Sequence, residues 1–320
     1  MARIVVTTRL PDVCLTWLHQ RASVMELDER GEVPDRVLGD AEGLVVGSYT
    51  NIDAALLASA PHLKVVGRAG VGLDNIDLAA CQQRGVVVVH TPNANTQAVC
   101  EYVIALMLDA FRPRVSLNPG DDVRRYLAYR RSHVGDQLDT MTLGILGFGR
   151  IGRRLGRMAH AIGMRVMAHD LLDASVLLPQ IDFPVELVTA EAMYRTCDVL
   201  TIHVDGRSGN RHLVDAKVLA QLKSSCLIIN ASRGPIVDAE ALAKWARDCA
   251  PQGAAAVLDV HDPEPLPPEP PACYPLYGLP NVRLLPHLAS RTHRAVENMG
   301  WVVRDLIAVI DGAAPSHPAW

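Results

Sequence analysis

Short apolar runs alternate with stretches of helical spacing along almost the whole chain. Up to about residue 98 the runs predict strands at 4–7, 24–27, 44–46, 63–66 and 86–90. Between them, helical periodicity predicts helices at 11–21, 52–59 and 76–84. Strands separated by helices imply a parallel sheet covered on both faces. A turn-rich link at 91–96 leads into a long, mostly apolar helical pattern at 97–111, read as the crossing into a second domain. The alternation then resumes, with strands predicted at 143–146, 164–170, 199–204, 227–230, 255–260 and 282–285. Helices are predicted at 150–162, 216–222 and 239–249, and one closing helix at 292–310 stops at Asp311-Gly312. The segment 263–271 is too rich in proline for helix or sheet and reads as a surface linker or a ligand for a proline-recognising module.

The run at 143–146 ends in Gly147-x-Gly149-x-x-Gly152. Gly147 permits a tight strand-to-helix turn, Gly149 lets backbone approach a pyrophosphate, and Gly152 lets the helix pack closely on the strand. The helix begins with Arg150 and Ile151, and its first N–H groups and positive dipole end would face the phosphates. Such a glycine pattern also occurs in purely structural turns. Here the next strand ends in Asp170, 18 residues after Gly152. A carboxylate there accepts hydrogen bonds from the ribose hydroxyls of NAD and repels the 2′-phosphate of NADP. With Leu171 following and no arginine beside it, the expected cofactor is NAD.

Composition narrows the class. The 320 residues suffice for two domains, and 49% hydrophobic with 21% charged content is ordinary for a soluble globular protein. A net charge of −4 gives no reason to expect nucleic acid or an anionic membrane as partner. Seven scattered cysteines without a CxxC pair fit a reducing compartment, with neither a disulfide framework nor a metal site expected. No apolar run approaches the ~18 residues of a membrane helix, so a cytoplasmic location is expected. The arginine-rich stretch 112–133 reads as a solvated face or a subunit contact.

Candidate chemistry collects past the carboxyl ends of predicted strands, where open α/β sheets place their ligands. In the first domain, the loop from Gly67 to Asp77 follows a strand, and its glycines expose backbone N–H groups near Val71 and Gly72 suited to a carboxylate. It reads equally as a structural turn leading to a helix cap at Asp74 or Asn75. In the second, Arg233, Glu264 and His287 each follow a strand. An arginine binds a carboxylate through two parallel hydrogen bonds, and a histidine beside a carboxylate is a tuned proton donor. With a hydride carrier these are the parts needed to reduce a 2-oxo acid. Their structural alternatives are an ion pair, a solvated loop acid and a capping residue. His203, His261 and His293 are read as packing or solvent-facing residues.

Over nearly its full length the chain resembles the D-isomer-specific 2-hydroxyacid dehydrogenases. The segment from Gly70 to Asp77 is similar to the family's carboxylate-binding loop. Gly147, Gly149, Gly152 and Asp170 match its NAD fingerprint, and Asn230 to Asp238 resembles the segment carrying its substrate arginine, here Arg233. Leu258 to Pro265 resembles the segment whose glutamate partners the catalytic histidine, here Glu264, and Pro286-His287 the histidine's own. Asp259 matches an acid that contacts the nicotinamide carboxamide. By sequence alone Glu269 is a rival for Glu264; the motif selects Glu264.

The resemblance implies an α/β fold with a central Rossmann-type NAD domain, 99–289, and a smaller flavodoxin-like substrate domain. That smaller domain is discontinuous, made of 1–98 and 290–320. It also implies a cleft between the domains, hinge closure and a homodimer formed through the NAD domains. The implied activity is NAD-dependent, reversible hydride transfer at C2 of a small 2-oxo or 2-hydroxy acid. The Gly67-Arg68-Ala69-Gly70 loop resembles that of phosphoglycerate dehydrogenases and gives Arg68 a distal contact with substrate. The segment 263–299 resembles that of glyoxylate/hydroxypyruvate reductases. A corepressor-like NAD(H) sensor of the same fold is the alternative. The chain departs from the family's pattern at Cys100, at Asp205-Gly206 in place of Pro-Leu, and in a longer loop before the last strand.

Overall fold

The computed structural model describes residues 1–28, 33–265 and 274–320. They form two compact units, Met1–Asn95 with Ser290–Trp320, and Thr96–Ala289.

The smaller unit is built on five parallel strands: β1 (Arg3–Val6), β2 (Ser23–Glu26), β3 (Gly43–Val46), β4 (Val65–Arg68) and β5 (Val87–Val89). Their order, β2-β1-β3-β4-β5, is the flavodoxin-like doubly wound order. Alternate residues face opposite ways, which fills two cores. Val5, Leu44, Val66 and Val88 enter one; Ile4, Val6, Val45 and Val65 enter the other. The second core is closed by Val302, Val303 and Leu306 of the C-terminal segment. Here the single closing helix expected at 292–310 is corrected: it is two helices, His293–Gly300 and Val302–Ile310. Gly300 sits where a Cβ would stand 2.7 Å from Pro11 and 2.9 Å from the Cys14 sulfur. Trp301, at φ −68° and ψ 1°, leaves the helical path directly after it. Apolar spacing persists across a one-residue break, so periodicity does not report it.

The larger unit is built on seven parallel strands: β6 (Thr142–Leu146), β7 (Arg165–His169), β8 (Glu186–Leu187), β9 (Val199–Ile202), β10 (Leu227–Asn230), β11 (Ala255–Leu258) and β12 (Val282–Leu284). The order β12-β11-β10-β9-β6-β7-β8 is the Rossmann arrangement, with strand order reversing between β6 and β9. The sequence reading missed β8, an edge strand of two residues paired with Met167 and Ala168 and too short for any pattern. It also missed the helix Val123–Ser132, which has no buried residue and therefore no apolar stripe to detect. Asp122 caps that helix by accepting from the Arg125 N–H. Among the described residues no helix is long and apolar enough to cross a membrane.

Candidate active site

The glycine turn lies at the point where the strand order reverses. Gly147 has φ +92°, and a Cβ there would stand 2.7 Å from the carbonyl carbon and oxygen of His203. Both the left-handed backbone and the close approach require glycine. A Cβ on Gly152 would meet the Gly147 carbonyl at 2.3 Å, so helix and strand are in backbone contact. Nothing lies within 4 Å of the place a Cβ on Gly149 would take. The helix Arg150–Ala161 starts there without a side-chain cap. An open glycine cradle at an uncapped helix start suits a pyrophosphate. Asp170 stands beside it: its Oδ2 accepts from the Phe148 N–H at 2.6 Å and its Oδ1 from the Leu172 N–H at 2.9 Å. Each oxygen retains a lone pair for a ribose hydroxyl.

Across Gly147 from Asp170 runs the loop that follows β9. The Asp205-Gly206 departure is explained by an ion pair, Arg207 Nε donating to Asp205 Oδ1 at 2.6 Å and Arg207 Nη2 to Oδ2. The Arg207 contact holds the Asp205 carboxyl below the usual carboxylate range. Arg207 in turn feels the negative charge of Asp170. That charge reaches Arg207 across 37 positions of chain, where neighbouring-residue reasoning does not look. His203 donates to or accepts from Thr201 Oγ1 at 2.9 Å, and burial pushes its imidazole down to about 4. It is neutral near pH 7 and no reserve of protons.

Three neighbouring strands carry the remaining polar groups. Asn230 pairs with Leu258, and Leu258 with Leu284, so β10, β11 and β12 end level at one edge. Past β10, the buried Asn230 side chain donates to the Arg233 carbonyl at 2.8 Å and accepts from the Ser232 N–H and hydroxyl. That turn fixes the backbone from which Arg233 projects, and the Arg233 Nη1 donates to the Ser232 carbonyl at 2.8 Å. Past β12, His287 has φ 54°, a left-handed backbone uncommon for a non-glycine residue. Asp259, fully buried, holds it there. Its carbonyl accepts from the His287 N–H at 2.9 Å, and its two carboxylate oxygens accept from the Leu288 and Ala289 N–H groups, each at 2.8 Å. The Tyr102 hydroxyl also bonds this carboxylate. Asp259 thus grips the turn that presents His287, a job its motif position did not announce.

His287 Nδ1 and Glu264 Oε1 are 2.5 Å apart. Burial alone would raise the Glu264 carboxyl. The hydrogen bond and charge of His287, with the nearby His261, outweigh it and leave Glu264 below its usual range. The pair is an anion oriented on one nitrogen of an imidazole, which leaves Nε2 for a reacting oxygen. The rival Glu269, like most of the proline-rich stretch, lies outside the described residues.

In the smaller unit, Arg68 is buried and turned into its own loop. Its Nη1 donates to the Ala69 carbonyl at 2.6 Å and its Nη2 to Ser48 Oγ at 3.1 Å. A Cβ on Gly70 would stand 2.3 Å from Nη1, so this glycine makes room for the guanidinium. The Val71 carbonyl lies 3.1 Å from His90 Nδ1, and the Thr91 hydroxyl donates to the Gly70 carbonyl at 3.2 Å, which hold the segment containing Val71 and Gly72. The cap expected at Asp74 or Asn75 is corrected: Asp77 caps the helix Leu78–Gln83, and the Asn75 amide donates to the Gly47 and Thr50 carbonyls.

Residues 104–289 match the family described as D-isomer specific 2-hydroxyacid dehydrogenase, NAD binding domain. The chain is 37% identical over 315 residues to the (S)-sulfolactate dehydrogenase of Chromohalobacter salexigens, covering 92% of this chain and 97% of that one. It is 36% identical over 272 residues to a D-3-phosphoglycerate dehydrogenase of Archaeoglobus fulgidus, covering 85% of this chain but only 50% of that protein's length. Among solved structures, the NADPH-dependent glyoxylate/hydroxypyruvate reductase of Sinorhizobium meliloti, in complex with NADP and malonate, superposes with a TM-score of 0.80. Its identity is 27%, with 99% of this chain and 96% of that chain covered.

Proposed function

The chain belongs to the D-isomer specific 2-hydroxyacid dehydrogenase family and is thus an NAD-dependent oxidoreductase of 2-hydroxy acids, and we propose that Arg233, Glu264 and His287 carry its chemistry. The observation that carries the assignment is the 2.5 Å His287–Glu264 pair at the carboxyl edge of the sheet that also bears the glycine cradle. NADH, when bound along Gly147, Gly149, Gly152 and Asp170, supplies a hydride to C2 of the substrate. Arg233 binds the substrate carboxylate; within the smaller unit, the N–H groups of Val71 and Gly72 are the candidate anion donors. His287 donates its proton to the carbonyl oxygen through Nε2, and Glu264 holds the ring in place through Nδ1. In the oxidising direction the neutral imidazole takes the proton back. Asp259 supports this by fixing the His287 turn.

The substrate is a short 2-oxo acid, with 3-phosphohydroxypyruvate, glyoxylate and hydroxypyruvate as the leading candidates. The buried Arg68, bonded to the Ala69 carbonyl and to Ser48, supports the loop that carries Val71 and Gly72. The uncovered helix Val123–Ser132, with Val123, Tyr126 and Leu127 exposed, supports a homodimer formed through the larger unit. Six free cysteines among the described residues support a reducing, cytoplasmic setting. NADH oxidation against a panel of 2-oxo acids tests the reading. Turnover with at least one member is expected; tight NADH binding with no turnover on any would turn the protein into a sensor.

A further inference from the structure

His261, read from sequence as a packing residue, lies 6% exposed between the parts of the proposed site. Its ring Nε2 is 2.7 Å from the Leu285 carbonyl, two residues before His287. A carbonyl only accepts, so Nε2 carries the proton. Nδ1 is then a bare acceptor, and it is buried with no hydrogen-bond partner. Three residues along the same segment lies Glu264, whose carboxyl His261 helps to hold below its usual range. The His261 carbonyl lies where a Cβ on Gly234, next to Arg233, would stand 1.7 Å away. The Tyr274 ring meets the imidazole edge-on, with centroids 6.4 Å apart. One residue thus touches the backbone beside Arg233 and the strand end that delivers His287, from the segment that carries Glu264.

A histidine is a poor choice for filling such a site. An apolar ring of the same size would pack as well and would leave no buried nitrogen without a partner. What the imidazole adds is the bond to Leu285. Without it the part-buried Leu285 carbonyl at the root of the His287 turn would lose this partner, and the turn would be free to shift relative to Glu264. We propose that His261 is a positioning residue that locks the His287 turn onto the Glu264 segment and so keeps the proton donor aligned with its carboxylate. This rests on the Arg233–Glu264–His287 reading and deepens it.

The test compares His261→Phe, which keeps the ring and loses the donor, with His261→Gln, which restores an N–H near Leu285. The readouts are kcat, KM and the pH profile of 2-oxo acid reduction, with Glu264→Gln measured alongside. His261→Phe is expected to lower kcat about tenfold with KM for NADH unchanged, the scale of leaving one part-buried acceptor unpaired. The alkaline limb of its profile moves to lower pH, because a loosened carboxylate stabilises imidazolium less. His261→Gln recovers most of both. Should His261→Phe fail to fold, His261→Leu makes the same comparison. A donor-free variant with wild-type kcat and an unmoved limb overturns the proposal whatever its melting temperature, as does a Gln variant no better than Phe. If Glu264→Gln itself leaves the limb in place, the underlying reading fails, and this inference with it. A limb moved by Glu264→Gln but not by the donor-free variant defeats this inference alone.

Discussion

The two halves of the larger sheet's carboxyl edge are built by different means. From β7 to β9 the edge is backbone: a left-handed glycine against the His203 peptide, a second glycine against the first one's carbonyl, and an uncapped helix start. From β10 to β12 it is a mesh of side chains, with Asn230, Asp259 and Glu264 each holding the turn or ring of another residue. The first half makes a rigid recess for a ligand whose shape never changes. The second places a proton and a positive charge, which backbone alone cannot supply. Substitutions should therefore separate: those in the β10–β12 half move rate, and those in the β7–β9 half move cofactor binding.

The sharpest way to break that division is His287→Ala. Reduction should fall on the order of 10²–10⁴-fold, the usual worth of a positioned general acid, with NADH affinity by fluorescence titration unchanged. Near-normal turnover with lost NADH binding would put the proton donor elsewhere. Asp259→Asn should follow. One carboxylate oxygen becomes an NH2 facing a backbone N–H, and unfolding stability in denaturant should drop by about 1.5–3 kcal/mol, with kcat falling too. Unchanged stability would mean that the His287 turn is held by other contacts.

Gly147→Ala probes the opposite half. A Cβ at φ +92° and 2.7 Å from His203 should cost about 1–3 kcal/mol, seen as weaker NADH binding and a lower melting temperature. A variant that bound NADH normally but turned over slowly would contradict the division. The smallest effect expected is on cofactor choice. Asp170→Ala should narrow the preference for NADH over NADPH about tenfold, and Arg207→Ala in that background should widen it again by removing the nearby cation. Equal efficiency of the unaltered protein with both cofactors would defeat the role given to Asp170.

The same division explains what the sequence reveals. The glycine turn, its helix and Asp170 lie in one stretch of chain, so spacing alone displays the geometry. Arg233, Glu264 and His287 are legible as residues beyond strand ends because the strands themselves can be read from alternating patterns. The supports are not legible. Asp259 reaches Leu288 and Ala289 across 29 and 30 positions, and His261 reaches Leu285 across 24. Arg207 meets the field of Asp170 only because β9 and β7 flank β6. The helix Val123–Ser132 stayed hidden because its own chain buries none of its faces. Contacts between distant segments leave no period in the sequence.

The central claim is that Glu264 acts on His287 as a charge. Held below the usual carboxylate range, Glu264 is ionised through neutral and alkaline pH, so a loss of reduction at high pH is expected to follow the proton donor and not this carboxylate. The decisive measurement is the pH dependence of kcat for 2-oxo acid reduction in the unaltered protein and in Glu264→Gln. Gln keeps the size and a hydrogen-bonding oxygen but removes the charge that favours imidazolium. The alkaline limb is expected to move to lower pH in Glu264→Gln, and the acid limb of the reverse oxidation to move the same way. Superimposable profiles would contradict it.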